Sequence, residues 1–225
     1  MSARPTVPIS PSPSSAESDL AAAGPNDDKA RQILDGARRI FLRDGFDGAS
    51  MNDIVRAAGV SKGTLYVYYP SKEALFAALI RHDKRQQAEQ TCAWACDAGD
   101  VREALMRVGR SFVTMMSRTD HVAQVRTVMA VAPRFPEIGR AFYEAGPQHG
   151  IARLQTLLDH WVREGRLVVP DTARAALQFL NLCKGDVQIR HLFGLVDRVD
   201  EGEIEESVGA AVDVFLSAYA VGETR

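Results

Sequence analysis

The chain has 225 residues, of which 46% are apolar, and a formal net charge of −2 at pH 7. This length allows one large or two small domains with an ample core. Because the total charge is near zero, overall basicity is not an argument for nucleic-acid binding. The charge is unevenly distributed, however: residues 29–85 carry 11 Lys and Arg against 6 Asp and Glu. The N-terminal part could therefore face a polyanion, whereas the acidic remainder could not.

The cysteine and histidine content excludes further classes. Three cysteines, an odd number, do not form a disulfide framework and suit a reducing cytosol. Cys92 and Cys96 would share one helical face, either as a redox switch or as ordinary small buried residues. The five histidines lack the paired spacing of a zinc site, so no metal is predicted. No apolar run approaches about 18 residues, so we expect a cytoplasmic protein with no membrane partner.

The first 26 residues differ sharply from those that follow. They are rich in Pro, Ser and Ala and lack the basic and apolar regions of a signal peptide, so residues 1–26 are predicted to be a disordered tail. An amphipathic helix follows, capped by Asn26 or Asp27 and ended by Gly45. Its apolar stripe consists of Ile33, Leu34, Ala37, Ile40 and Phe41.

Several helix signals then follow one another within residues 50–73. Ser50 with Asp53 predicts an N-cap, and Gly59 predicts a C-cap in the left-handed region. Ser61 caps a second short helix, which stops before Pro70 because the residue ahead of a proline avoids helical angles. Two short helices joined by a glycine-containing turn are typical of a helix-turn-helix.

The rest of the chain is predicted to be helical throughout. Helices are expected from Ser71 to about Cys96 and over residues 101–118, 121–131, 137–164 with a kink at Gly146–Pro147, 171–193 and 203–219. No strand-like alternation with hairpin turn signals occurs. The predicted fold class is all-α, with an N-terminal three-helix helix-turn-helix domain over residues 27–76 and a larger helical domain over residues 77–225.

The motif SMNDIVRAAGVSKGTLYVYYPSKEALF, residues 50–76, resembles the N-terminal signature of TetR-family transcriptional regulators of the TetR/AcrR type. The likeness spans roughly residues 31–76, about a fifth of the chain, and is specific because positions in three helices agree at once. Tyr69 departs from the pattern, since many relatives carry Phe there. The segment PRFPEIGRAFYEAGP, residues 133–147, also resembles part of a ligand-domain subgroup of this family.

The resemblance implies a DNA-binding repressor. Its N-terminal domains would bind a near-palindromic, double-stranded operator as a homodimer, and the larger domain would bind a small hydrophobic effector and pair with its twin. Effector binding in the family changes the separation of the two DNA-reading heads and releases the operator. An activator or constitutive repressor without an effector is one alternative, and an all-helical enzyme is another. The sequence carries neither G-x-S-x-G nor H-E-x-x-H nor a phosphate-binding glycine loop, and no cofactor is predicted.

The second helix of the helix-turn-helix is expected to contact DNA. Leu65 and Tyr69 are four residues apart and should point inward together. Lys62 would touch a guanine edge or a phosphate, Val67 would pack on a thymine methyl group, and Lys72 would clamp a further phosphate. The candidate DNA-binding residues, whose tyrosines could instead belong to the core, are Ser50, Ser61, Lys62, Gly63, Thr64, Tyr66, Val67, Tyr68 and Lys72.

Two more sites are expected in the larger domain. Adaptable methionines and flat aromatic rings suit a pocket for an apolar effector, although each alone could be plain core. These residues are Met106, Phe112, Met115, Met116, Phe135, Phe142, Trp161 and Phe179. Apolar stripes in the last helices suit a dimer interface in a four-helix arrangement, or else they close the monomer core. These residues are Leu177, Leu180, Val212, Phe215, Leu216 and Tyr219.

Overall fold

The computed structural model describes residues 25–90 and 99–221, with side chains over 28–84 and 99–221. Within these ranges the fold is all-α, as predicted, and the one β contact is a bridge between Leu167 and Ala220. No helix there is long and apolar enough to span a bilayer. The predicted tail, apart from residues 25 and 26, lies outside the described residues, as do Cys92 and Cys96. The helices are α1 Pro25–Gly48, α2 Met51–Ala58, α3 Lys62–Tyr68, α4 Lys72–Gln90, α5 Val101–Met116, α6 Thr119–Val131, α7 Pro136–Tyr143, α8 His149–Arg163, α9 Thr172–Lys184, α10 Val187–Leu192 and α11 Glu201–Tyr219.

Three helix boundaries show how local chemistry decides the outcome. Helix α1 begins at Pro25, ahead of the predicted caps, because proline suits the first helical position with its fixed φ and missing amide. The kink predicted at Gly146–Pro147 is a π-helical turn over Glu144–Gln148, which accommodates the missing amide of Pro147. The single helix predicted over 171–193 is wrong, because Gly185, with φ 45° and ψ −129°, separates α9 from α10.

The N-terminal head, which consists of α1, α2, α3 and the first half of α4, is built around an aromatic cluster. The ring centroids of Phe41 and Phe46 lie 4.8 Å and 5.2 Å from that of Phe76. Phe135, from the α6–α7 connection, reaches into the same cluster, with its ring 5.6 Å from that of Phe46. Val128, Val131 and Ile138 extend this core into α6 and α7. The head is therefore supported by α6 and α7 as well as by α4, and α4 runs through the predicted boundary at residues 76–77.

The body, formed mainly by α5, α8, α9 and α11, has its own apolar core. Its largest fully buried side chains include Trp161, Phe179 and Phe215. Gly109 of α5 marks its tightest crossing, because an added Cβ atom would lie 2.5 Å from Val208 Cγ1 and 3.1 Å from Cys183 Sγ. Helices α5, α9 and α11 therefore meet without space for another atom.

Candidate nucleic-acid interface and cavity

Helix α2 is fixed at its N-terminus by the predicted cap. The amide of Asp53 donates to Ser50 Oγ at 3.1 Å, while the Ser50 hydroxyl donates to the Asp53 carboxylate. Arg56 pairs with the same carboxylate. These hydrogen bonds, that of Ser50 above all, hold the pKa of Asp53 below its usual value. Ser50 is exposed at the candidate interface, and its hydroxyl already serves to cap α2.

The turn after α2 is a Schellman motif that α1 holds in place. Gly59 is left-handed with φ 64° and ψ 37°, the amide of Val60 donates to the Val55 carbonyl, and the amide of Gly59 donates to that of Arg56, both at 3.3 Å. Gln32 Nε2 of α1 donates to the Ala58 carbonyl at 2.7 Å. The capping predicted for Gly59 is therefore present, and the chain direction into α3 is set by backbone geometry.

Close contact between α1 and α2 depends on another glycine, Gly36. An added Cβ atom there would lie 2.6 Å from the Cβ and 2.7 Å from the Cα of Ala58. Real Cβ atoms do not approach so closely, so only glycine lets the two helices cross here. This position fixes α2, and through its turn α3, against the long helix α1.

Helix α3 presents one face to the core and the other to solvent. Ser61 caps it, accepting from the Thr64 amide at 3.0 Å, and Leu65 is fully buried as predicted. Ser61, Lys62 and Gly63 are exposed, Thr64 is half-buried, and Tyr66 and Val67 point outward with 41% and 83% of their surface accessible. Lys62 Nζ lies 6.0 Å from the centre of the Tyr66 ring.

The two tyrosines at the end of α3 lie against the head. Tyr68 and Tyr69 are half-buried, pack on the head core, and have ring centroids 6.3 Å apart. Burial raises the pKa of Tyr69, which agrees with its predicted inward direction. Tyr68 therefore has a packing contact in addition to the DNA contact predicted for it.

The structure gives Lys72 a role that differs from the predicted phosphate clamp. Its Nζ donates to the carbonyl oxygens of Phe46 at 2.7 Å, Ala49 at 3.0 Å and Asp47 at 3.4 Å. It also lies 4.6 Å from the centre of the Phe46 ring. An ammonium group has three donors, so all three are engaged in holding the C-terminal end of α1 and the residue that follows it. A phosphate contact would require Lys72 to give up these carbonyls.

A cavity of about 280 Å³ lies between α4, α5, α6, the α7–α8 region and α9. Four of the predicted pocket residues line it: Phe112, Met115, Met116 and Phe142. The other four lie elsewhere, which corrects the predicted lining. Phe135 belongs to the head cluster, Trp161 and Phe179 are fully enclosed in the body core, and Met106 packs against that core. Apolar type alone does not distinguish a residue that lines a cavity from one that fills the core.

Two buried polar residues in this cavity were missed from the sequence. Lys84 and His121 are 5% and 4% exposed, and Lys84 Nζ lies 3.1 Å from His121 Nδ1 and 4.8 Å from the Phe142 ring centre. Burial lowers the pKa of the Lys84 ammonium to about 8, and burial with the nearby Lys84 charge lowers that of His121 to about 4. The sequence did carry a signal for the burial of Lys84, because this residue continues the buried stripe of Phe76 and Ile80 at four-residue spacing.

The face formed by α9 and α11 carries a shallow groove of about 540 Å³. Of the residues predicted to form a dimer interface, Leu180, Val212 and Phe215 are buried within the monomer, so for them the alternative of closing the monomer core is correct. Leu177 is exposed, and Leu216 and Tyr219 are half-buried. Leu182 and Val214, which the sequence analysis did not select, are exposed beside Leu177 in the same groove.

Comparisons with known proteins agree with this architecture. Residues 33–79 match the model of bacterial regulatory proteins of the tetR family, and residues 103–221 match that of the AefR-like transcriptional repressor C-terminal domain. The structure of the flavonoid-responsive regulator FrrA is 35% identical, with a TM-score of 0.75 over 86% of this chain and 97% of that one. A putative TetR-family regulator from Mesorhizobium loti has a TM-score of 0.80 at 25% identity, over 88% of this chain and all of that one.

Sequence relatives point the same way. An HTH-type transcriptional repressor of Mycobacterium tuberculosis is 28% identical over 187 residues, which are 83% of this chain and 90% of the relative. The relatives are DNA-binding regulators, and the expectation of a non-enzymatic protein agrees with them. Both family models, the likeness over most of the chain and the helix-turn-helix geometry confirm the resemblance, and the chain belongs to the TetR family of bacterial transcriptional regulators.

Proposed function

We propose that this regulator is a repressor that binds a near-palindromic operator as a homodimer and is released by a small apolar effector. The observation that carries DNA reading is the outer face of α3. Val67 is held almost wholly in water beside the exposed Tyr66 and Lys62, on a short helix whose caps and buried Leu65 fix its orientation. Such a short helix gains little stability of its own from an exposed valine, and a methyl-bearing side chain suits thymine in the major groove.

The remaining candidate DNA-binding residues differ in which of their polar groups are still available to contact DNA. Lys62 and Gly63 are available to bases or phosphates. Ser61 and Thr64 share a hydrogen bond of 2.7 Å between their hydroxyl groups, and each retains capacity to bond a phosphate oxygen. Tyr68 would add its hydroxyl to the backbone contact. In a two-fold dimer the two copies of α3 would enter successive major grooves, roughly 34 Å or somewhat more apart.

The effector role is supported by the cavity and by its link to the head. Helix α4 belongs to the head core at Leu75 and Phe76 and lines the cavity at Lys84. An occupant of the cavity therefore contacts the same helix that supports α3. The similar regulator FrrA is described as flavonoid-responsive, which favours a flat and largely apolar effector for this chain too. Induction requires the effector to prefer the form that does not bind DNA, by about 1–3 kcal/mol in typical cases.

The homodimer is supported by the groove between α9 and α11. Leu177, Leu182 and Val214 expose large apolar surfaces there, each between 43% and 56% accessible. A matching pair of helices from a second copy would cover them in a four-helix arrangement with two-fold symmetry. The partners of this regulator are thus operator DNA, a small molecule and its own twin.

Selection of bound sequences from a random DNA pool tests the proposal directly. We expect a recovered palindrome, which would establish both base reading and two-fold symmetry. Recovery of no preferred sequence at moderate salt would refute DNA reading. If a palindrome is recovered but no compound releases the protein from it, the result would indicate a constitutive regulator.

Lys62→Ala then distinguishes base reading from phosphate binding. If Lys62 reads a base, the variant loses about 1–3 kcal/mol of preference at one operator position. A uniform loss over all sequences, with a shallower salt dependence, would instead assign Lys62 to a phosphate. The measurement is a set of binding isotherms on single-site operator variants at two salt concentrations.

A further inference from the structure

The charged residues that line the cavity are all of one sign. Among its described lining residues none carries a carboxylate, whereas five carry basic side chains: Lys84, His121, His149, Arg153 and Lys184. Most of the remaining lining is apolar, and its neutral polar side chains are those of Ser111, Asn181 and Gln188. A pocket for a neutral molecule requires no such bias, and a pocket for a cation would be disfavoured by it.

The two buried basic residues form a pair of hydrogen-bond donors. An ammonium group only donates, so His121 Nδ1 accepts from Lys84 Nζ across their 3.1 Å contact. The proton of the neutral imidazole therefore sits on Nε2. That buried Nε2 atom has no hydrogen-bond partner within the part of the chain that the structure describes. A buried donor without a partner is costly, but Nε2 is fully buried and does not reach the cavity surface, so within this pair His121 holds Lys84 in place and Lys84 is the group that binds a ligand.

Among the described residues, two carboxylates act on the charge of Lys84, those of Asp83 and Asp120, and both also bond other groups. Asp83 pairs with Arg38 of α1. Asp120 pairs with Arg118, at 3.0 Å between Nη2 and Oδ2, and accepts from the amide of His121 at 3.0 Å. Burial is the largest influence on the pKa of the Lys84 ammonium and lowers it, ahead of the attraction of these two carboxylates. A negative charge inside the cavity would stabilise it.

We infer that the effector is an amphipathic organic anion, with an apolar body that packs along Phe112, Met115 and Leu154 and one acidic group that accepts a hydrogen bond from Lys84 Nζ. A charge-assisted hydrogen bond in these apolar surroundings is stronger than one in water. His149 is exposed, and Arg153 and Lys184 are half-buried, so Arg153 and Lys184 bring positive charge towards the opening. This inference rests on the proposed effector role of the cavity.

Matched sets of ligands test the sign of the charge. The full chain, without DNA, is titrated at pH 7 with decanoic acid, 2-naphthoic acid and biphenyl-4-carboxylic acid, each beside its primary carboxamide and the amine of the same skeleton. Binding is measured by calorimetry. For each body that fits the cavity we expect the acid to bind about tenfold or more tightly than the amide, which corresponds to about 1.4 kcal/mol. The amine should bind more weakly than both.

Variants of Lys84 identify the group responsible. Lys84→Met should reduce the advantage of the acid over its amide to less than about threefold, while Lys84→Arg, which keeps the charge, should retain most of it. Lys29→Met makes the same change at an exposed lysine of α1 and should leave both affinities unchanged. The unfolding transition of each variant is recorded beside the titration, so a loss of binding through misfolding is recognised.

The pH dependence of the unmodified protein gives an independent test. The acids stay ionised above pH 7, whereas the Lys84 ammonium has a pKa of about 8. Affinity for the acid should therefore be level up to about pH 8 and then fall by up to tenfold per unit, and the amide should show no such fall. His121 is neutral throughout. Among the described residues, the charged groups that act on this pair are Asp83, Asp120 and Arg118, and the titratable side chains of His149, Arg153 and Lys184 also line the cavity.

Two outcomes would overturn the inference. One is an amide or amine that binds as tightly as its acid, and the other is the absence of binding by every acid. Either result combined with selective DNA binding removes the inference and leaves the proposed function in place. If the protein clearly prefers the acids but selects no DNA, the inference about the ligand stands and the proposed function is refuted.

Discussion

Replacing Lys72 with methionine distinguishes a lysine that holds the head together from one that holds DNA. Two of its carbonyl contacts, at 2.7 Å and 3.0 Å, are partly buried, and the third, at 3.4 Å, is exposed. Hydrogen bonds from a charged group contribute about 1.5–3 kcal/mol each, and neighbouring ones do not add fully. Because methionine keeps the apolar stem but donates nothing, we expect Lys72→Met to lower the free energy of unfolding by about 2–4 kcal/mol.

Urea unfolding at fixed protomer concentration measures this loss, since the stability of the proposed homodimer would depend on concentration. The salt dependence of DNA binding is measured on the same preparations below the transition. If Lys72 only holds the head together, the folded variant should bind DNA with the same dependence of affinity on salt concentration as the unmodified protein. The reasoning would be refuted if the free energy of unfolding moved by less than about 0.5 kcal/mol while the slope became shallower by about one, because that pair of results describes a phosphate contact.

Three further predictions concern stability and reactivity. Gly36→Ala should lower the free energy of unfolding by about 1–3 kcal/mol, since its Cβ would meet Ala58 at 2.6 Å, whereas Gly209→Ala, with no atom within 4 Å, should be neutral or gain about 0.5–1 kcal/mol. Lys84→Met should raise the free energy of unfolding by roughly 2–3 kcal/mol at pH 7. The pKa of Lys84 is about 8 in the folded protein and 10.5 in the unfolded chain, so the charged lysine destabilises the fold below pH 8. Urea unfolding should show the advantage of the variant shrinking towards pH 10. Burial raises the pKa of the Cys183 thiol to about 12, so a thiol reagent at pH 8 should modify it only after unfolding; rapid labelling of the native protein at this residue, read by peptide mass, would contradict its burial.

The helix-turn-helix could be predicted because its determinants are local. Ser50, Ser61 and Ser71 each bond an amide three residues ahead, and Gly59 adopts the left-handed geometry for which it was selected. These interactions depend on residue type and spacing within one turn, and no distant part of the chain alters them. The inward direction of Leu65 follows from the same spacing.

The contents of the cavity could not be predicted in the same way. Phe135 and Phe142 are both aromatic, lie seven residues apart and pack against the head core, yet only Phe142 also lines the cavity. Their difference depends on how α6 and α7 pack on α4, which no local pattern specifies. The partners of Lys72 are likewise three carbonyls more than twenty residues away. The break at Gly185 is the reverse case, because glycine is itself a local signal for a helix end and the prediction of one helix over 171–193 passed over it.

The crossing at Gly109 gives the body unequal stiffness on its two sides. Helices α5, α9 and α11 already touch there at the limit set by atomic radii, so they cannot move closer, and sliding them apart would open a void in the core. On the opposite side, the cavity is bounded by α4 and by the π-helical turn, where Gly146 lies against the Lys84 side chain. We therefore expect a molecule that overfills the cavity to displace α4 more easily than α5, α9 or α11, and α4 is the helix that continues into the head.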